Sequence, residues 1–142
     1  MATMNPYLNF LGNTEEAFLF YKSVFGSEFS SFQRFSDTPF GADMPEADRS
    51  KIMHVALPVG PGHELMGTDA LESMGHTLTV GNNMYITLNP DSKEEADRLY
   101  KSLSAGGKIE MELQDTFWGA YYGSFADQFG VQWMINYVAP KA

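Results

Sequence analysis

At 142 residues the chain has the size of one ordinary domain, and its 44% hydrophobic, 14% aromatic and 19% charged residues exclude disorder, coiled coil and collagen-like repeats. Nine Lys and Arg against 18 Asp and Glu leave a net charge of −9, so phosphate backbones and anionic membrane surfaces are repelled and neither is an expected partner. Cysteine is absent, which removes disulfides and thiolate chemistry. With no apolar run near the ~18 residues of a membrane span and no leader-like start, a cytoplasmic protein is expected.

In chain order, residues 7–11 read as a strand, and a helix follows over the amphipathic run from Glu15 to Phe25. Its apolar positions, Ala17, Phe20, Tyr21, Val24 and Phe25, recur at the helical period. Asn13 with Glu16 three residues on has the form of a capping box, and Gly26 is placed to stop the helix. Strands are expected at 28–35, 52–59 and 64–68, where Val, Ile, Phe and Met concentrate between turn residues, with Pro61-Gly62 closing a hairpin. Residues 36–50 are polar, hold two prolines and read as a long mobile loop. Residues 69–82 read as a linker with a short strand at 77–80.

The pattern then starts again. A strand at 84–88 precedes a helix from Glu94, with Ala96, Leu99, Tyr100 and Leu103 on one face, Ser92 and Glu95 as a capping box, and a stop near Gly106-Gly107. Strands follow at 108–113, 118–125 and 131–138, the last two joined by a turn at 127–130. Between the two helices, six of ten positions are identical without a gap at an offset of 79 residues (94 − 15 = 79), namely Glu-Glu-Ala and Tyr-Lys-Ser. The chain is therefore a strand-helix-strand-strand-strand unit, twice, and of class α+β. Module 1 covers about 4–68 and module 2 about 83–138. Each is too small for independent stability, so 1–142 is expected to form one domain.

A repeated βαβββ unit resembles the vicinal oxygen chelate (glyoxalase/bleomycin resistance/dioxygenase) superfamily, and within it the PhnB-like branch. The resemblance is carried by Pro6 to Phe10, Phe20 to Gly26, Ile52-Met53-His54, Leu65-Met66 and Gly106-Gly107. It is carried above all by Phe117 to Gly123 and Asp127 to Asn136. It implies two modules forming a cupped mixed sheet, a propensity to dimerise and, in active members, a divalent metal held by His, Glu or Gln from the first and last strands of each unit. Counted on the family's spacing, those positions fall here on Pro6, Met66, Tyr85 and Met134. Proline has no ligating group and thioethers suit Cu(I), so no metal cofactor is expected. The alternative ligands are His54 and Glu64. His63 neighbours Glu64 on the same strand and points to the opposite face, while His54 reads as a half-buried histidine bonded to a backbone carbonyl. Some PhnB-like proteins carry a methyltransferase name. No glycine-rich strand-to-helix turn with a following acidic residue supports that chemistry here.

Alternation in the last strand puts Val131, Trp133 and Ile135 toward a helix and Gln132, Met134 and Asn136 toward the cup. Tyr85 and Thr87 share that cup face, and Phe117, Trp118, Tyr121, Tyr122 and Phe125 supply aromatic surface beside the hairpin. The expected ligand-binding set is Tyr85, Thr87, Trp118, Tyr122, Gln132, Met134 and Asn136, suited to a small, partly apolar molecule. A metal-dependent lyase, isomerase or dioxygenase, and a structural homodimer with a filled cup, are the competing readings. Glu110 and Glu112 read as a solvated strand face, and Asp127 as an Asx-turn residue.

Overall fold

The computed structural model describes residues 2–140. Its elements run β1 (Tyr7–Phe10), α1 (Thr14–Phe25), β2 (Ser31–Arg34), α2 (Glu46–Arg49), β3 (Ile52–Gly60) and β4 (His63–Asp69) in the first half. β5 (Ile86–Leu88), α3 (Lys93–Ser104), β6 (Lys108–Asp115), β7 (Tyr121–Ala126) and β8 (Gln132–Tyr137) make the second. The protein is α+β, with two four-stranded mixed sheets ordered β1-β4-β3-β2 and β5-β8-β7-β6. The chain divides into two compact units between Thr79 and Val80. In each sheet the first strand runs parallel to the last, and the remaining pairings are antiparallel. No described helix is long and apolar enough to cross a membrane.

Each unit is built by laying its long helix on one face of its own sheet. In α1 the buried stripe is Thr14, Ala17, Phe18, Tyr21 and Val24, so the expected stripe is corrected at Phe18, which is fully buried, while Phe20 is half-buried. The reason lies in the sheet: a β-carbon on Gly67 would sit 2.6 Å from Phe18 Cε1, so glycine lets the ring press onto the strand. In the second unit Ala96, Leu99 and Leu103 of α3 bury against the face carrying Phe125, Trp133 and Ile135.

The two helices begin differently. Ser92 Oγ accepts the Glu95 amide at 3.1 Å, the expected cap. Glu95 reaches back to the Asp91 amide rather than that of Ser92. Asn13 makes no side-chain cap bond. The start of α1 is held instead by Asp69 at the end of β4, whose Oδ1 accepts from Thr14 N (3.1 Å) and Thr14 Oγ1 (2.7 Å) and whose Oδ2 accepts from Ile52 N (2.7 Å). Asp69 is 2% exposed, and it ties α1, β3 and β4 together. In the second unit a buried aspartate, Asp127, ties the structure from a different place, the turn between β7 and β8. Its Oδ1 accepts from Phe129 N and Val131 N, as an Asx turn requires, and Oδ2 accepts from Trp133 Nε1 at 2.8 Å.

Other expectations are corrected. Residues 77–80 form no strand, and the strand expected from Met84 starts at Ile86. Residues 36–50 are short helical turns rather than an open loop, and Phe35 and Met44 bury against Leu71 in a small satellite core. Three apolar side chains in that stretch and its neighbour suffice to pin an otherwise polar segment.

On the helix side of the second sheet, Tyr121 Oη donates to Asp97 Oδ1 at 2.6 Å, and Lys93, 3.3 Å from Asp115, lies 4.5 Å over the Tyr121 ring. The bond to Asp97, then desolvation and the charges of Asp97 and Asp115, push this phenol up to about 12. Between the ordinary phenol value of about 10 and that value, the unfolded chain releases a proton that the folded chain retains, so stability falls as pH rises across the window. Asp97→Asn is expected to flatten that slope, read as the urea midpoint from pH 9 to 12.

Candidate functional site

The face of the second sheet away from α3 carries a polar row across all four strands. Alternation on β8 puts Trp133 and Ile135 against the helix and leaves Gln132, Met134 and Asn136 half-buried on the opposite face, as expected. The register carries this face across the sheet, with Met134 opposite Ser124, Asn136 opposite Tyr122, and Thr87 of β5 opposite Met134. Thr87 Oγ1 donates to Met134 Sδ at 3.7 Å.

Ile109 lies opposite the helix-side Phe125, so alternation puts the next residue, Glu110, on the open face. In β6 the pairing shifts between Ile109 and Met111, with Ile109 opposite Phe125 and Met111 opposite Ser124. Glu110 is the extra residue of this bulge, which brings Met111 into register with Ser124 and shifts the phase of the residues after it. Glu110 is exposed, as expected of a solvated strand face, and it accepts from Ser124 Oγ at 3.0 Å, while Tyr85 Oη lies 2.8 and 2.7 Å from its two oxygens, sharing one proton between them. Ser124 is 1% exposed, which fixes one end of this triad. The hydrogen bond to Glu110, then desolvation and the charges of Glu110 and Tyr122, raise the Tyr85 phenol above its ordinary value. Glu110→Gln is expected to return it toward that value, read from the pH titration of the Tyr85 ring resonances.

The aromatic group expected beside the hairpin is split by the sheet. Tyr121 and Phe125 pair with Tyr137 and Trp133 on the helix side, and Phe125 is buried. Tyr122 lies on the open face, and Trp118, in the turn before β7, packs edge-on to it with ring centroids 6.0 Å apart. Phe117 is almost wholly exposed and packs on Trp118. Two further expected residues tie the structure itself: Gln132 Nε2 donates to Met84 O at 2.7 Å, and Asn136 Nδ2 to Asn89 Oδ1 at 3.4 Å. Both bonds anchor the segments flanking β5 to β8.

In the first unit the open face holds Tyr7, His54 and Met66, with Tyr7 opposite Met66 in the register. Tyr7 Oη and His54 Nδ1 lie 2.9 Å apart with the rings stacked at 5.7 Å. The partner of His54 is thus a phenol rather than a backbone carbonyl. Burial raises the Tyr7 phenol above its ordinary value. Glu64 accepts from Ser30 Oγ at 2.7 Å and lies opposite Pro58, four residues along β3 from His54, or about 13 Å of strand at ~3.3 Å per residue. His63 is exposed, and a recess beside it is lined by Asn5, Pro58, Gly60, Gly62 and Glu64. Pro6 precedes β1, and its carbonyl is taken by Met66 N at 3.0 Å.

A divalent cation of the kind the resemblance implies needs converging carboxylate or imidazole donors. The first unit offers a proline, a thioether, a histidine engaged by tyrosine and a glutamate four residues along the sheet from it. The second offers a phenol that holds its proton and a thioether bonded to a threonine. Among the described residues no three His, Asp or Glu side chains group to hold a metal ion. These donors do not fit such a chelate.

A model of the glyoxalase/bleomycin resistance protein/dioxygenase superfamily matches residues 3–135. Protein YjdN of Escherichia coli K12 is 33% identical over 95% of both chains. Among solved structures, protein PA1353 of Pseudomonas aeruginosa superposes with a TM-score of 0.84 at 38% identity, covering 97% of this chain and 98% of that one. A Bacillus cereus PhnB protein, described as a putative 3-demethylubiquinone-9 3-methyltransferase, gives 0.77 at 25% identity, covering 96% and 100%.

Proposed function

The chain belongs to the glyoxalase/bleomycin resistance protein/dioxygenase superfamily, and from that premise we propose that it binds a small, partly apolar molecule on the open face of its second sheet without a catalytic metal. The observation that carries this reading is the row Glu110–Ser124–Met134–Thr87, with Tyr85 closing on Glu110. A carboxylate and two hydroxyls fix orientation, while Met134, Tyr122 and Trp118 supply apolar contact, the usual make-up of a small-molecule site. Polar groups held by one another before a ligand arrives cost little to order, which favours binding. Methyl transfer is not carried over from the Bacillus cereus protein, because no glycine-rich strand-to-helix turn is present to hold a nucleotide-like cofactor.

The test is a nuclear magnetic resonance titration of chelator-treated protein with small aromatic compounds. Shifts at Tyr85, Thr87, Ser124 and Met134 that persist in chelator are expected. No shift at these residues, or shifts only after a divalent metal is restored, overturns the reading.

The working form is read as a cytoplasmic homodimer. β6 is an edge strand with Ile109 and Met111 exposed, followed by exposed Phe117 and Trp118, and such apolar edges are commonly covered by a second copy. Sedimentation at tens of micromolar, a concentration ordinary dimer affinities satisfy, is expected to show a dimer; a monomer removes this part.

A further inference from the structure

We propose that the molecule held on this face is an organic cation, an ammonium head on an aromatic or aliphatic body, with its charge over Glu110. The proposal rests on the reading of the second sheet's open face as the ligand site and adds the class of ligand.

Glu110 is held by neutral donors alone. Tyr85 and Ser124 give it hydrogen bonds, and neither offsets its charge. Ion pairs elsewhere join Lys22 to Glu28, Arg34 to Glu15, Lys93 to Asp115 and Arg98 to Glu95. Lys108 lies on the same strand opposite Ala126 and enters none of these pairs. The carboxylate is therefore aimed and ordered by neutral donors and, being exposed, is open to a cation from solution.

The surroundings favour a cation over other groups. Tyr122 stands two residues from Ser124 on the same face, about 7 Å along the strand at ~3.4 Å per residue. Its ring packs edge-on with that of Trp118, and the Tyr85 ring brings a third π-system to the carboxylate. Aromatic faces attract cations and repel anions, and a carboxylate beside them adds charge attraction of the same sign. The net charge of −9 extends that preference beyond the site. Met134, opposite Ser124, gives a soft apolar floor for the ligand's body.

Three probes with one aromatic body and different heads decide the matter: phenethylammonium, 2-phenylethanol and 3-phenylpropionate, titrated into wild-type protein while the Tyr85, Thr87 and Met134 resonances are followed. Phenethylammonium is expected to bind about tenfold more tightly than the alcohol, with the carboxylate weakest, and the advantage should shrink as salt is added. Glu110→Gln, at an exposed position, should bring the ammonium and the alcohol to equal affinity while the folded spectrum is kept. Tyr122→Leu provides a second variant and should weaken the ammonium more than the alcohol. Equal binding of ammonium and alcohol at these residues overturns the cation proposal and leaves the ligand face standing. If none of the three moves these residues up to about 20 mM, in the weak-affinity range, both readings fall.

Discussion

Asp69→Ala is expected to cost about 3–5 kcal/mol, since each buried donor left without a partner costs ~1–3 kcal/mol. The substitution strands Thr14 N, Thr14 Oγ1 and Ile52 N together. Asp69 is 2% exposed and Ile52 and Thr14 are fully buried, so water has no ready access to replace the carboxylate. Against the 5–15 kcal/mol of an ordinary domain, a loss of this size removes a large share of stability. Asp69→Asn keeps the shape and one acceptor, but turns an amide donor toward Ile52 N–H, so it is also expected to destabilise, by less than alanine. Thr14→Ala removes only a hydroxyl and should cost about 1 kcal/mol, the size of one ordinary hydrogen bond. In the double variant the two losses should not add, because both remove the same bond. Urea midpoints of the four variants against wild type check this. A midpoint for Asp69→Ala within error of wild type would mean that α1 is held by its packing alone.

Local features were legible in the sequence and features made by tertiary contact were not. The helices, their repeat and the Ser92 cap follow from period and from residues three apart. The cap of α1 comes from a residue 55 positions away, and the local candidate Asn13 is idle, so no window around the helix could reveal it. The open face of β8 was legible because its alternation is unbroken. The open face of Glu110 follows from the same count, and the bulge shifts the phase only of the residues after it. What no local count shows is the bonding of Glu110 to Tyr85 and Ser124, 25 and 14 positions away.

The family's spacing pairs Pro6 with Tyr85, 79 residues apart like the helices (85 − 6 = 79), but the strands do not keep that offset. Three residues, 11–13, connect β1 to α1, whereas four, 89–92, connect β5 to α3. One extra residue flips the strand phase, so the face of Tyr85 is shared by Tyr7 and not by Pro6. The hairpins repeat at a different offset altogether, with Ala56 opposite Met66 matching Ser124 opposite Met134 (124 − 56 = 68, 134 − 66 = 68). The difference between 79 and 68 falls where the first unit carries the extra turns after β2.

Gly107→Ala is expected to destabilise at or above the ~3 kcal/mol reached by ordinary overpacking, and more than Gly106→Ala beside it. The sequence marks this pair as a helix stop, which assigns the cost to whichever glycine takes the left-handed conformation. Gly106 takes it, with φ +75, and a β-carbon there would meet the Gln128 side chain at 3.5 Å, ordinary contact. A non-glycine residue in that region costs about 1–3 kcal/mol, and the flexible Gln128 adds nothing. At Gly107 the obstacle is the backbone itself. A β-carbon would lie 2.1 Å from Ala126 O and 2.8 Å from Asp127 C. Neither atom can swing aside as a side chain would, because Asp127 is fixed by Phe129, Val131 and Trp133. Relief must come from moving the first residues of β6 away from β7, at the Lys108–Ala126 pairing. That movement would loosen the strand that carries Glu110. The Gly107 variant is therefore expected to lower the urea midpoint and to broaden the Glu110 and Ser124 resonances, whereas Gly106→Ala lowers the midpoint alone. Equal midpoints for the two would show that the β6–β7 approach is softer than its geometry requires.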